Sequence, residues 1–197
     1  MPLVLNLFIV KGLLYIRLFM RIIAGQNKGM KLMSPKGNDI RPTADKVREY
    51  IFSCLYVDGN KTVLDLFAGS GAFGLEALSR GAASSTFVDI SRSALELAKK
   101  NAEKAGAYSQ SRFYQRKATS FLRDCDTTFD IIFCDPPYKY DNFDKILYFI
   151  KEYQVLQPQG YVIYEYGSYL NKPETSDFKT VREKKMGNTR VHFYQYE

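Results

Sequence analysis

Val63-Leu64-Asp65-Leu66-Phe67-Ala68-Gly69-Ser70-Gly71-Ala72-Phe73-Gly74 is the stretch whose reading decides the fold. An apolar run reads as a buried strand, the glycines as G-x-G-x-x-G, and residues 72–80 as a helix ended by Gly81. Asp89 closes the next strand, 20 residues beyond Gly69. The spacing is that of a nucleotide-type site. Gly69 turns the chain tightly, Gly71 lets a ligand meet bare backbone, and Gly74 allows close packing of helix on strand. The helix N-terminus then faces the ligand with free N–H groups, and a carboxylate at Asp89 suits ribose hydroxyls. Two ligands fit, a dinucleotide or S-adenosylmethionine. Asp65 favours the second, because a carboxylate there repels a pyrophosphate and attracts an ammonium group.

Outward from this loop, strands alternate with helices. Residues 86–88, 112–115, Phe129–Cys134 and 162–164 read as further strands. A helix capped by Ser91 and carrying Leu95, Ala98 and Ala102, a short helix after residue 115, and a helix over 141–153 separate them. Pro158-Gln159-Gly160 reads as a turn, and residues 178–185 and 190–196 as a hairpin across Gly187-Asn188. Upstream, 20–34 reads as short basic strands around Gly25 and Gly29. Thr43 reads as the N-cap of a helix running to about residue 56, with Val47, Ile51, Phe52 and Leu55 facing inward. The pattern predicts an α/β domain with a mainly parallel sheet.

Asp135-Pro136-Pro137-Tyr138 comes directly after a hydrophobic strand. Two prolines hold the next residues extended and remove their donors, leaving acceptors: the Asp135 carboxylate and the Pro136 carbonyl. Such a corner can hold an exocyclic amine by its hydrogens while Tyr138 stacks on the base. An aryl amine is a poor nucleophile, and two fixed acceptors direct its lone pair at a methyl donor. Asp135, Pro136 and Tyr138 are therefore the candidate catalytic residues.

Charge is unevenly placed. Of the formal +7, residues 1–50 carry +6 and the other 147 residues +1. A basic front end on a nearly neutral body points to a polyanion met at one place, with Lys28, Lys31, Arg41 and Arg48 as candidate phosphate contacts. A single histidine, His192, and three cysteines without a CxxC pair argue against a metal site and against a disulfide framework. A reducing, cytoplasmic setting is expected. The uncharged run from Met1 to Val10 is too short to span a bilayer, and Lys11 and Arg17 break the apolar stretch beyond it. Residues 1–19 read as an over-extended N-terminus with Met20 as the natural start, or else as an amphipathic helix carrying Leu3, Leu7, Leu14 and Leu18.

Asp65-Leu-Phe-Ala-Gly-Ser-Gly together with Asp135-Pro-Pro-Tyr resembles the S-adenosylmethionine-dependent amino-methyltransferases. Arg41-Pro42-Thr43-Ala-Asp45-Lys-Val47-Arg48-Glu49, ahead of the loop, is similar specifically to the RsmD family of bacterial 16S rRNA guanine-N2 methyltransferases. The resemblance runs from Met20 to the C-terminus and implies a Rossmann-like, seven-stranded class I methyltransferase fold over 61–197. Its last hairpin would insert one antiparallel strand, and a basic, RNA-facing extension would occupy 20–60. It implies that Asp65, Gly69 and Gly71 hold the methionine end of S-adenosylmethionine and Asp89 its ribose, with Phe67 also binding the cofactor. Asp135 and Pro136 would then take a guanine amine in 16S rRNA or an assembling small ribosomal subunit. Where the family usually has an acid after the third strand, this chain has Lys117-Ala118-Thr119, so adenine recognition would rest on the backbone at Ala118. A monomer without metal or membrane is expected. Methylation of an adenine N6 or cytosine N4 in DNA or RNA is the alternative. An NAD-dependent oxidoreductase is disfavoured by Asp65 and the Asp-Pro-Pro corner, and a catalytically silent RNA-binding module by intact motifs on both sides of the transfer.

Overall fold

The computed structural model describes residues 7–10, 13–16, 20–34, 42–137, 140–170, 173 and 175–197, with the backbone alone for 7–10, 13–16, 42 and 43. In chain order the elements are β1 (Leu7–Val10), β2 (Leu13–Ile16), α1 (Pro42–Ser53), β3 (Thr62–Leu66), α2 (Ala72–Ser79), β4 (Ser84–Asp89) and α3 (Arg92–Lys104). They continue with β5 (Ser111–Gln115), α4 (Ala118–Arg123), β6 (Phe129–Cys134), α5 (Phe143–Glu152), β7 (Leu156–Gly167), β8 (Phe178–Met186) and β9 (Thr189–Tyr196).

Seven strands form one sheet in the order β5-β4-β3-β6-β7-β9-β8. The first five are mutually parallel, and β9 enters antiparallel between β7 and β8. This is the Rossmann-like arrangement with a C-terminal hairpin. β3 starts the series and has parallel neighbours on both sides, so the strand order reverses at β3 and β6. A crevice opens at the carboxyl ends of strands on either side of such a reversal.

Both faces are covered at the centre of the sheet, which is why β3 and β6 are buried nearly throughout, while the edge strand β5 is largely exposed. On one face Val63, Phe133 and Ile163 pack with Val47, Ile51 and Phe52 of α1, Leu75 and Leu78 of α2, and Leu95 of α3. On the other, Leu64, Leu66, Ile132 and Val162 pack with Phe121 and Leu122 of α4 and with Phe143, Ile146 and Ile150 of α5. Among the described residues no helix is long and apolar enough to cross a membrane.

Four local expectations change. α1 starts at Pro42, a residue suited to a first turn that needs no N–H, and it ends at Ser53. Pro158-Gln159-Gly160 lies inside the long β7, where the register jumps between Phe129/Leu156 and Ile131/Tyr161. Gly160 is required there because a Cβ would come within 2.8 Å of the Asp130 carbonyl. β1 and β2 make an antiparallel two-stranded sheet, so residues 7–10 and 13–16 are strands and not a helix. Residues 20–34 form turns with one bridge, Arg21 to Lys31, in place of a pair of strands.

That turn segment is tied down by buried polar groups. Glu76, fully buried on α2, accepts from the N–H groups of Ile23 (2.6 Å) and Ala24 (3.0 Å) and pairs with Arg80 (2.7 Å). Asn101 of α3 accepts from the Met33 N–H and donates to the carbonyls of Met33 and Ser70. One buried amide thus joins the N-terminal segment to the glycine loop.

Candidate functional site

The loop after β3 is built on left-handed backbone. Phe67 (φ 62°), Gly69 (φ 55°) and Gly71 (φ 83°) all have positive φ. A phenylalanine in that region is strained, and strain of this kind persists only where surrounding structure enforces it. The Phe67 ring packs edge-on against Tyr140 at 5.0 Å. The Gly69 N–H donates to Asp89 Oδ2 (2.8 Å), and the Ser91 N–H to Asp89 Oδ1 (2.8 Å). Asp89 is thereby fixed at the tip of β4, and each oxygen keeps a lone pair for a further donor such as a ribose hydroxyl.

The three glycines have separate jobs. A Cβ on Gly69 would enter open space, so its bare face is available to a ligand. A Cβ on Gly71 would press on Phe87 (3.1 Å) and Ala98 (3.2 Å). The open approach to a ligand, expected at Gly71, therefore belongs to Gly69, and Gly71 serves the turn. Gly74 performs the packing expected of it, since a Cβ would lie 2.4 Å from both the Phe87 ring and Ser85 Oγ.

Asp65 is buried beneath the loop and accepts from the Gly74 N–H (3.0 Å). Burial pushes its carboxyl well above the usual range against the opposing Gly74 hydrogen bond. The nearby charges of Asp135 and Asp89 push it further, and that of Arg48 acts the other way. Three carboxylates thus repel one another around a bare glycine turn. A ligand carrying positive charge relieves that repulsion, and one carrying a pyrophosphate adds to it. S-adenosylmethionine, with an ammonium and a sulfonium, fits these residues; a dinucleotide does not.

β6 delivers the second half. Cys134 is its last residue, and Asp135-Pro136-Pro137 leaves the sheet beside the glycine loop. Asp135 is reachable by solvent, yet protein surrounds it closely enough that desolvation raises its carboxyl to about 6, against the pull of Arg48. The Pro137 carbonyl accepts from the Tyr140 N–H (2.8 Å). Tyr138 lies outside the described residues, as does Arg41.

Arg48 is a correction. Expected as a surface phosphate contact, it is 2% exposed. Its Nη2 donates to the Arg21 carbonyl (2.7 Å) and pairs with Asp45 (2.8 Å). Its positive charge acts on Asp65, Asp135 and Glu165. A guanidinium one turn before Ile51 on the inner face of α1 is directed at the sheet, where only carboxylates make it tolerable. Lys28 and Lys31 are exposed on the N-terminal turns, and Ala118 is buried at the start of α4. Glu165, near the end of β7, was not among the expected site residues. Its signal was a lone acid in an otherwise apolar strand, Val162-Ile-Tyr-Glu-Tyr166.

Known proteins resemble this chain over most of its length. The family model described as Conserved hypothetical protein 95 matches residues 20–195. Ribosomal RNA small subunit methyltransferase D of Escherichia coli K12 is 36% identical over 187 residues, covering 90% of each chain. The protein of the same name from Haemophilus influenzae is 33% identical over 182 residues, covering 89% of this chain and 93% of that one. The solved structure of yhhF from Escherichia coli superposes with a TM-score of 0.79 at 35% identity, covering 90% of this chain and 97% of that one.

Proposed function

The chain belongs to the RsmD family, matched here by the model described as Conserved hypothetical protein 95, and from that premise we propose that this methyltransferase modifies the N2 amine of a guanine in small-subunit rRNA. The observation that carries the reading is the meeting of two half-sites at the strand-order reversal. β3 and β4 bring a carboxylate-ringed glycine turn, and β6 brings the Asp135-Pro136 acceptors directly beside it.

S-adenosylmethionine is the cofactor, and when bound it supplies an electrophilic methyl on a positively charged sulfur. Gly69 offers its bare face to that ligand, Asp89 takes the ribose hydroxyls, and Asp65 the ammonium. Asp135 and the Pro136 carbonyl accept the two hydrogens of the guanine amine, which draws the nitrogen towards a tetrahedral shape and aims its lone pair across the site. Transfer would form the N–C bond as the methyl–sulfur bond breaks, and the nitrogen would lose one proton. A carboxylate raised to about 6 is a better acceptor for it than an ordinary aspartate. The base must leave its stack to reach this corner. Lys28 and Lys31, exposed beside the loop that Glu76 holds, serve the RNA backbone.

Nucleoside analysis of 16S rRNA, incubated with the protein and isotopically labelled S-adenosylmethionine, tests the reading. Label in N2-methylguanosine is the expected result. Label in an N6-methyladenosine or N4-methylcytidine would replace it with the alternative base.

A further inference from the structure

Parallel pairing sets Cys134 of β6 opposite Tyr164 of β7. Asp135 and Glu165 follow directly on that last pair, and the Asp135 charge acts on Glu165, so the two carboxyls are neighbours at the end of the sheet. Their shared face is set by alternation. Phe133 and Ile163, two residues earlier on each strand, both belong to the core that α1 covers, and Val191, paired with Glu165 across β9, does too. Arg48 projects from α1 over that face, its Nε–H buried without a hydrogen-bond partner, and its charge favours ionisation of both carboxylates. Glu165 itself is partly exposed, and among the described residues none donates a hydrogen bond to its carboxyl group. Burial, and then the Asp135 charge, raise its carboxyl well above the usual range against the Arg48 charge, so the free site holds a carboxyl poorly satisfied by protein, whose ionised form is favoured when an N–H donor reaches it.

Three bases carry an exocyclic amine, and they differ in the ring atom next to it. In adenine the atom flanking N6 is N1, and in cytosine the atom flanking N4 is N3; both are acceptors. In guanine the amine-bearing carbon is flanked by N3, an acceptor, and on the Watson–Crick side by N1, which carries a hydrogen. An ionised carboxylate accepts only. Set beside the group that holds the amine, it pairs with guanine and opposes the lone pair of adenine or cytosine.

We propose that Glu165 is the specificity-determining residue of this site, accepting the N1–H of guanine while Asp135 and Pro136 hold the N2 amine. The proposal rests on the amine-methylating reading above and deepens it. It assigns base choice to the end of β7, and the transfer itself to the corner after β6.

The test compares small ribosomal subunits reconstituted with 16S rRNA carrying either guanine or 2-aminopurine at the mapped target. 2-Aminopurine keeps the N2 amine, replaces N1–H by an acceptor and lacks O6, a second difference that the Glu165→Gln comparison separates from the first. With the wild-type protein, kcat/KM for 2-aminopurine is expected to fall about 10- to 100-fold, the loss of a hydrogen bond to a charged group. In Glu165→Gln the amide can donate to that acceptor, so the ratio is expected to narrow to about threefold or less. S-adenosylhomocysteine affinity should change by less than about twofold, since no cofactor contact is removed. A wild-type protein that treats the two bases alike overturns the proposal whatever the variant does, even one that fails to fold. An unchanged ratio in a folded Glu165→Gln protein overturns it as well. The guanine arm separates this from the underlying reading, because absence of any N2-methylguanosine there removes both together.

Discussion

Asp65 and Asp135 are both aspartates with raised carboxyls, and their environments separate their roles. Asp135 meets solvent and substrate space, and its value of about 6 puts its titration within the working range. Methyl transfer is expected to fall as pH drops through about 6, because a protonated Asp135 can no longer accept from the amine or take its proton. Replacing Asp135 by Ala should lower kcat about 100-fold or more while S-adenosylhomocysteine binds within about twofold of wild type. Turnover close to wild type would remove Asp135 from the chemistry. Asp65 is sealed under the glycine turn, where its charge is unwelcome until a cation arrives. Its folded carboxyl lies above its unfolded value, so the stability it contributes is present below about pH 4 and lost as pH rises through the folded value. Asp65→Asn keeps an acceptor for the Gly74 N–H and cannot ionise. At neutral pH the ligand-free variant should melt about 2–4 °C higher than wild type, the gain fading towards pH 4, and should bind S-adenosylhomocysteine about tenfold less tightly. A variant that melts lower and binds normally would refute this account.

The loop after β3 and the helix beyond it are a unit in which identical residues do different work. Gly69 has an open side and Gly71 a filled one. Gly69→Ala should therefore act mainly on cofactor affinity, with a stability loss of about 1 kcal/mol for the left-handed backbone. Gly71→Val should act mainly on stability, since a branched side chain at φ 83° meets Phe87, Ala98 and Leu75. An unfolding midpoint lower by about 4 °C or more is expected for Gly71→Val, read against calorimetry with S-adenosylhomocysteine for both variants. If Gly69→Ala binds the cofactor as tightly as wild type, the ligand does not approach that face. α1 shows a similar division of labour. Its outward residues Lys46 and Glu49 are exposed, and Arg48, between them in sequence, is buried as the countercharge of the carboxylates.

At the scale of the whole molecule the question is where an RNA would lie. Lys28 and Lys31 are exposed on the segment that Glu76 and Asn101 fasten to α2 and α3, so they are held in a set position relative to the glycine loop. A second basic stretch appears on β8, an edge strand, where Lys179, Arg182, Lys184 and Lys185 are exposed. Replacing Lys28 and Lys31 by Gln should reduce the slope of log affinity for 16S rRNA against log salt by about 0.7 per lost contact and leave cofactor affinity unchanged. An unaltered slope would mean that the basic front end is only a solvated surface.

Periodicity and punctuation made most of the fold legible. Apolar runs bounded by Gly and Pro marked the strands, Ser91 announced the helix it caps with its side chain on the Ala94 N–H, and Gly187-Asn188 announced the closing hairpin. Local signals carry such information because strand, cap and turn are decided by neighbours along the chain. The glycine motif, Asp89 and the Asp135-Pro136-Pro137 corner were legible for the same reason: each is a contiguous piece of chemistry. What sequence could not decide was direction and neighbourhood. Arg48 sits in a run of charges that reads as solvated, and only the packing of α1 on the sheet turns it inward. Which face of Gly69 or Gly71 is open depends on Phe87 and Ala98, residues brought in from β4 and α3. Glu165 stands 30 residues from Asp135, and the parallel register of β6 and β7 alone makes them neighbours. Tertiary structure decided these because the energy of a buried charge is set by what surrounds it in space.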